Sequence, residues 1–209
     1  MTAAPLVVDL WADIVCPWCY VGSWRLARAL PEAQVRLHPF LLRPDTPPEG
    51  ISIPDMLRQR YGVEPEAAWA RVEAEARASE LPLDLRRQQR MVPTAAAHAL
   101  LTMREGAPQV ALARALYAAY FDDARDISQV DVLVDIGAAH GLDAAAVRAQ
   151  VTDPDVRAQI VAEAQLASSR GIRGVPFFIV RVGDGPGLAL SGAQPEAALR
   201  QAANQARGN

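Results

Sequence analysis

The sequence predicts an α/β fold: a strand–helix–strand unit at the start, a long block of helices in the middle, and a strand–strand–helix unit at the end. Three observations carry that expectation. Apolar or alternating runs of strand length lie near both ends of the chain, the stretch from about Asp55 to Arg170 is almost wholly helix-forming, and proline- or glycine-rich segments separate the two characters.

In order, Leu6 to Trp11 (L-V-V-D-L-W) reads as a buried strand whose only polar interruption is Asp9. From Cys16 to about Leu30 the period becomes helical, with Trp18, Val21, Leu26 and Leu30 as candidate buried positions, until Pro31 ends it. Val35 to Phe40 alternates as a second strand should. Arg43 to Pro54 is rich in proline and turn residues and reads as a connection. In the helical block, Val110 to Phe121 puts Leu112, Leu116 and Tyr120 on one face, with Ala113, Tyr117 and Phe121 beside it. Ser128 followed by Asp131 is a capping-box-like start for a helix carrying Val130, Leu133, Val134 and Gly137. Gly141 suits its C-terminal cap, and Asp143 can cap the next helix. Asp153-Pro154 opens a further helix that stops at Gly171. Strand character returns from Val175 to Val182. A G-D-G-P-G turn and Leu188 to Leu190 complete a hairpin, and Pro195 opens a final helix through Ala206. The division expected is residues 1–42, residues 43–170 as a mainly helical insertion whose last helix leads back, and residues 171–209.

The 209 residues suit one domain, or one domain with a sizeable insertion. At 51% hydrophobic and 22% charged the composition is that of a globular protein and disfavours disorder. No stretch approaches the roughly 18 apolar residues of a membrane span. A net charge of −3 argues against a nucleic-acid or basic membrane-surface partner. All 21 basic residues are Arg, which we read as coding bias. The first residues lack the basic region that opens a secretory signal, so a cytoplasmic location is expected if residue 1 is the native start.

The two cysteines, Cys16 and Cys19, sit together as C-P-W-C. Two cysteines cannot be a disulfide framework for a poor core, so the spacing reads as a redox pair or half a metal site. A zinc site usually wants four ligands, and the remaining soft candidates, His38, His98 and His140, have no ligand spacing, so no metal is expected. The motif follows a strand and opens a helix. Free backbone N–H groups there favour a thiolate at Cys16, Pro17 fits the first turn, and Cys19 lies one turn on along the same face. Such a pair can attack a disulfide and resolve the mixed species.

C-P-W-C-Y-V-G after a strand, with G-V-P-F-F opening a later one, resembles the DsbA-like branch of the thioredoxin superfamily, and more narrowly the FrnE-type disulfide oxidoreductases. A-Y-F-x4-D-I at Ala119 to Ile127, G-L-D at Gly141 to Asp143 and S-G-A-Q at Ser191 to Gln194 extend the likeness over nearly the whole chain. The resemblance implies a thioredoxin-like fold with a large all-helical insertion, matching the element order. It implies Cys16 as nucleophile and Cys19 as resolving thiol. Pro176 would be a cis-proline, and Val175 would offer its backbone to a substrate strand. Pro17 and Trp18 would tune the potential and line the substrate groove, although Trp18 serves equally as plain packing, and the plainer reading of Val175-Pro176 is the first residue of a strand.

No cofactor beyond the Cys16–Cys19 disulfide is implied. The expected partners are thiol or disulfide proteins or small thiols, with glutathione open as one and a homodimer open through exposed helical faces of the insertion. The chain departs from the pattern at Pro93-Thr94, where relatives have Asn-Thr, and at Ala97-His98-Ala99, where they have Ala-His-Arg. His98 is expected either to face the site or simply to pack. Asp9 and Asp13 are alternative proton acceptors for Cys19, with a strand-edge and a cap role as their plainer readings. The alternative function is a glutathione-dependent isomerase or transferase of the kappa and hydroxychromene-carboxylate-isomerase type. Those relatives typically have Ser at the position of Cys16, no second cysteine, and Asp where this chain has Gln194.

Overall fold

The continuous apolar run of the first strand puts it at the centre of a sheet, buried on both faces. In the computed structural model, which describes residues 4–208, β1 (Leu6–Ala12) is that central strand. It pairs in parallel with β2 (Gln34–Pro39), reached through α1 (Pro17–Ala29). The reading that the first residues lack the basic region of a secretory signal includes residues 1–3, which lie outside the described residues.

The insertion opens with a two-residue strand β3 (Ile51–Ser52). It continues through α2 (Ile53–Tyr61), α3 (Pro65–Ala78), a second two-residue strand β4 (Arg90–Met91), α4 (Ala95–Leu101) and α5 (Gly106–Tyr117). A wider π-helical turn, Ala118–Asp122, extends α5, and α6 (Val130–Ala139), α7 (Ala144–Thr152) and α8 (Pro154–Ser169) follow. The chain then returns through β5 (Phe177–Val182), antiparallel to β1, and β6 (Leu188–Ser191), and ends with α9 (Glu196–Ala206). The sheet order is β2-β1-β5-β6. This is the thioredoxin-like α/β fold with a helical insertion that the sequence implies.

Alternation along β1 sorts its side chains. Leu6, Val8 and Leu10 join the main core with α1 and α9, while Trp11 on the other face meets Phe40, Phe177, Ala167 and Ile172 beneath the end of α8. The same core runs on into the insertion, where Leu112, Leu116, Tyr117 and Tyr120 are fully buried, so the helices and the sheet share one interior.

Three local readings change. The connection expected through Pro54 ends earlier, because Ser52 accepts the Asp55 N–H as an N-cap and Pro54 fits the first turn of α2. The insertion is not all-helical, since β3 and β4 form a two-residue antiparallel ladder. Ser128 does not cap α6: its hydroxyl donates to the Asp126 carboxylate and Gln129 takes the N-cap position. Asp143 and Asp153 cap α7 and α8 as expected.

Candidate active site

The turn after β1 delivers the cysteines. Cys16 N–H donates to the Asp13 carbonyl at 3.1 Å, and Cys16 is the extended N-cap residue of α1. No side chain caps this helix and no acidic residue lies in its first turn, so nothing competes with a sulfur anion for the positive end of the helix. Pro17 occupies the first turn, where a missing N–H costs nothing. Cys19 is fully buried and Cys16 is 4% exposed, and both are free thiols. The Cys19 thiol is pushed well above its ordinary value, first by burial and then by its hydrogen bond to Cys16 and the charge there. The two sulfurs are thus unequal: Cys16 is the outer one, and Cys19 holds its proton.

The second strand of the motif's context comes from β5. Val175-Pro176 is a cis peptide bond, and the Val175 carbonyl lies 3.9 Å from Cys16 Sγ, within reach of a thiol hydrogen bond. Two features hold this loop. Gly22 of α1 has no side chain, and a Cβ built there would lie 2.7 Å from the Pro176 ring. The Gly192 N–H donates to the Pro176 carbonyl at 2.8 Å from a left-handed conformation (φ 84°) that favours glycine. Arg25, buried on α1, ties the same S-G-A-Q turn to the insertion: its guanidinium donates to the Ala193 carbonyl, the Ser79 hydroxyl, and the Glu75 carbonyl and carboxylate. The sequence singled out S-G-A-Q and Gly22 only as parts of a pattern; their work is to press the Pro176 loop against α1.

Trp18 is half-buried, packed on the core, with the Arg71 guanidinium carbon 5.7 Å from its ring centre. Behind Cys19 stand Tyr20, Tyr117 and Phe121, with Tyr20 stacked on Tyr117 at 5.1 Å and on Phe121 at 5.6 Å. Burial pushes the Tyr117 phenol well up, and its hydroxyl donates to the Asp13 carbonyl at 3.5 Å.

The two acidic candidates separate. Asp9 is held at 2.8 Å by His38 Nε2 and at 3.1 Å by Arg181 Nε, which makes it a sheet-face ion pair and not a partner of the cysteines. Burial opposes its ionisation, but the hydrogen bonds of His38 and Arg181 outweigh burial and leave its carboxyl below the ordinary value. Asp13 is 1% exposed, accepts the Leu42 N–H at 2.8 Å and faces His98 Nε2 at 3.4 Å. The structure therefore brings His98 to the back of the cysteine loop, a juxtaposition of residues 85 positions apart that no local pattern announces. Among the described residues no cluster of three or more His, Cys, Asp or Glu is placed to hold a metal ion. None of the described helices is long and apolar enough to cross a membrane.

Three solved structures are similar to this chain over almost its whole length. A probable DsbA oxidoreductase from Streptomyces coelicolor is 33% identical, with a TM-score of 0.84 over 98% of this chain and 91% of that one. The cytosolic disulfide reductase DsbM from Pseudomonas aeruginosa is 24% identical, with a TM-score of 0.64 over 97% of this chain and 100% of that one. A 2-hydroxychromene-2-carboxylate isomerase is 15% identical, with a TM-score of 0.70 over 95% of each. The latter two are similar in fold alone. No curated protein sequence matches. The profile of the DSBA-like thioredoxin domain matches residues 7–204, and the chain belongs to that family.

Proposed function

We propose that the protein is a thiol–disulfide oxidoreductase in which Cys16 is the nucleophile and Cys19 the resolving thiol. The observation that carries this reading is the pair's asymmetry: an outer cysteine at an uncapped helix start beside the Val175 carbonyl, and an inner one kept protonated by burial. In the forward step the Cys16 thiolate attacks one sulfur of a substrate disulfide, and the other sulfur leaves as a thiolate that takes up a proton. Cys19 then loses its proton and attacks Cys16 Sγ. The Cys16–Cys19 disulfide forms and the second substrate thiol is released, so the substrate gains two electrons and the protein loses two. An external thiol pair restores the dithiol, and the reverse sequence oxidises a dithiol substrate.

Asp13, whose charge acts on Cys19, is the proposed acceptor of its proton, with His98 behind it. Val175 and Pro176 present an extended backbone edge beside Cys16, and Pro17 and Trp18 form the adjoining wall. Substrates are thiol or disulfide proteins or small thiols; a structure of the similar DsbM holds glutathione, which supports a small thiol as partner and a cytoplasmic setting. No further cofactor is required. The isomerase alternative rests on a likeness of fold, and nothing in the geometry favours it over a dithiol.

The test is trapping. Cys19→Ser keeps the attack but blocks release, so it accumulates mixed disulfides on non-reducing gels, whereas Cys16→Ser does not. Equal trapping by both variants would overturn the assignment of the nucleophile.

A further inference from the structure

We propose that the groove between α1 and α5 is a second binding site, for an unbranched aliphatic carboxylate of about eight to ten carbons. The groove encloses about 330 Å³ and is floored by Val35 and Leu37 of the edge strand β2, with Ala27 and Leu30 on one wall and Val110 and Ala111 on the other. Among the described residues neither cysteine lines it, so it is distinct from the redox pair. Its volume suits a small ligand: at about 30 Å³ for each water-sized group, some eleven such groups would fill it, which accommodates the alkyl part of such a chain with the carboxylate at the open side.

The head group follows from which polar lining atoms are still free. Ser23 donates to the Tyr20 carbonyl, Thr102 to the Ala99 carbonyl, and Gln109 spends both ends on the Leu37 N–H and the Leu101 carbonyl. His38 is bound to Asp9, and His98 faces Asp13. Arg114 differs. It is an exposed residue of the lining, with its guanidinium carbon 5.3 Å from the Trp24 ring centre, and among the described residues no hydrogen-bond acceptor or carboxylate pairs with it. An apolar cleft whose one arginine has no carboxylate partner matches a chain carrying a single negative charge. The surface that Ala27, Leu30, Val35, Leu37 and Val110 give the groove is aliphatic, which suits an alkyl group.

Isothermal titration with sodium decanoate below its micellar range tests the site. The expected result is saturable one-to-one binding. Arg114→Gln should weaken it about three- to fivefold, as for an exposed ion pair, and Ala27→Leu at least tenfold by filling the groove. Arg114→Gln should leave decanol binding unchanged, and Cys16→Ser should bind decanoate like the wild type. If Ala27→Leu fails to fold, Ala111→Leu at the rim replaces it. Absence of saturable binding to the wild type would overturn the proposal. So would decanoate affinity indifferent to Arg114→Gln or to the folded filling variant, decanol binding that falls with Arg114→Gln, or loss of decanoate binding in Cys16→Ser.

Discussion

Gly22→Ala is the substitution that most sharply separates folding from exchange chemistry in this protein. The added methyl would sit 2.7 Å from Cγ of Pro176 and 3.3 Å from both Pro176 Cβ and the Phe178 ring. An ordinary carbon contact is about 3.5–4.0 Å, so the loop must retreat by about 1 Å, and a proline ring cannot swing aside as a flexible side-chain end would. In a helix interior the change from Gly to Ala is worth about 1 kcal/mol in favour of the variant. Overpacking costs about 1–3 kcal/mol. Net destabilisation is therefore at most about 2 kcal/mol, and the protein stays folded. The chemical consequence is larger. The Val175 carbonyl already lies 3.9 Å from Cys16 Sγ, and a retreat of about 1 Å breaks that contact. A displacement of this size at a reacting centre can lower a rate about 100-fold. Insulin-reduction rates and urea midpoints measure the two effects. Gly137→Ala is the control: its methyl would also lie 2.7 Å from a neighbour, Val147, but in α6, outside the site. The reasoning fails if Gly22→Ala is more stable with unchanged exchange, or if Gly137→Ala slows exchange equally.

Two further changes probe what surrounds the site. Arg25→Met removes the charged donors to Ala193, Ser79 and Glu75 and should cost about 2–4 kcal/mol in urea unfolding; a loss under about 0.5 kcal/mol would show that the link between α1 and the S-G-A-Q turn is dispensable. Asp9→Asn should cost about 1–3 kcal/mol at pH 7 by weakening the bonds from His38 and Arg181. Because the Asp9 carboxyl is depressed below its ordinary 3.8, its contribution is full above that value and is lost as pH falls through the lower folded one. Urea midpoints of wild type and variant should converge on acidification below that value, and a gap that persists in strong acid would contradict the ion-pair account.

What the sequence made legible was local. A strand, C-P-W-C and a helical period are enough to place Cys16 at a helix start, because each depends on neighbours within one turn. Asp143 and Asp153 were readable as caps for the same reason. Ser128 was not, because Asp126, two residues earlier, captures its hydroxyl. The start of α2 was legible in principle, since Ser52 with Pro54 and Asp55 is a cap signature hidden in a proline-rich run. The two-residue strands β3 and β4 are too short to carry a period. The contacts that complete the site are long-range: Asp13 with His98, Gly22 with Pro176, and Arg25 with Ala193. Each joins residues that share no local pattern, so only the fold reveals them.

The central claim is that Cys16 and Cys19 act as one two-electron couple. Equilibration in glutathione buffers of stepped composition, followed by acid quenching, alkylation and mass measurement, reads both cysteines at once. The account predicts a single transition in which the two thiols disappear together into an internal disulfide, with a midpoint that follows the square of glutathione concentration over that of its disulfide. A lasting glutathione adduct on one cysteine with the other still free, or two thiols that survive the most oxidising buffer, would contradict it.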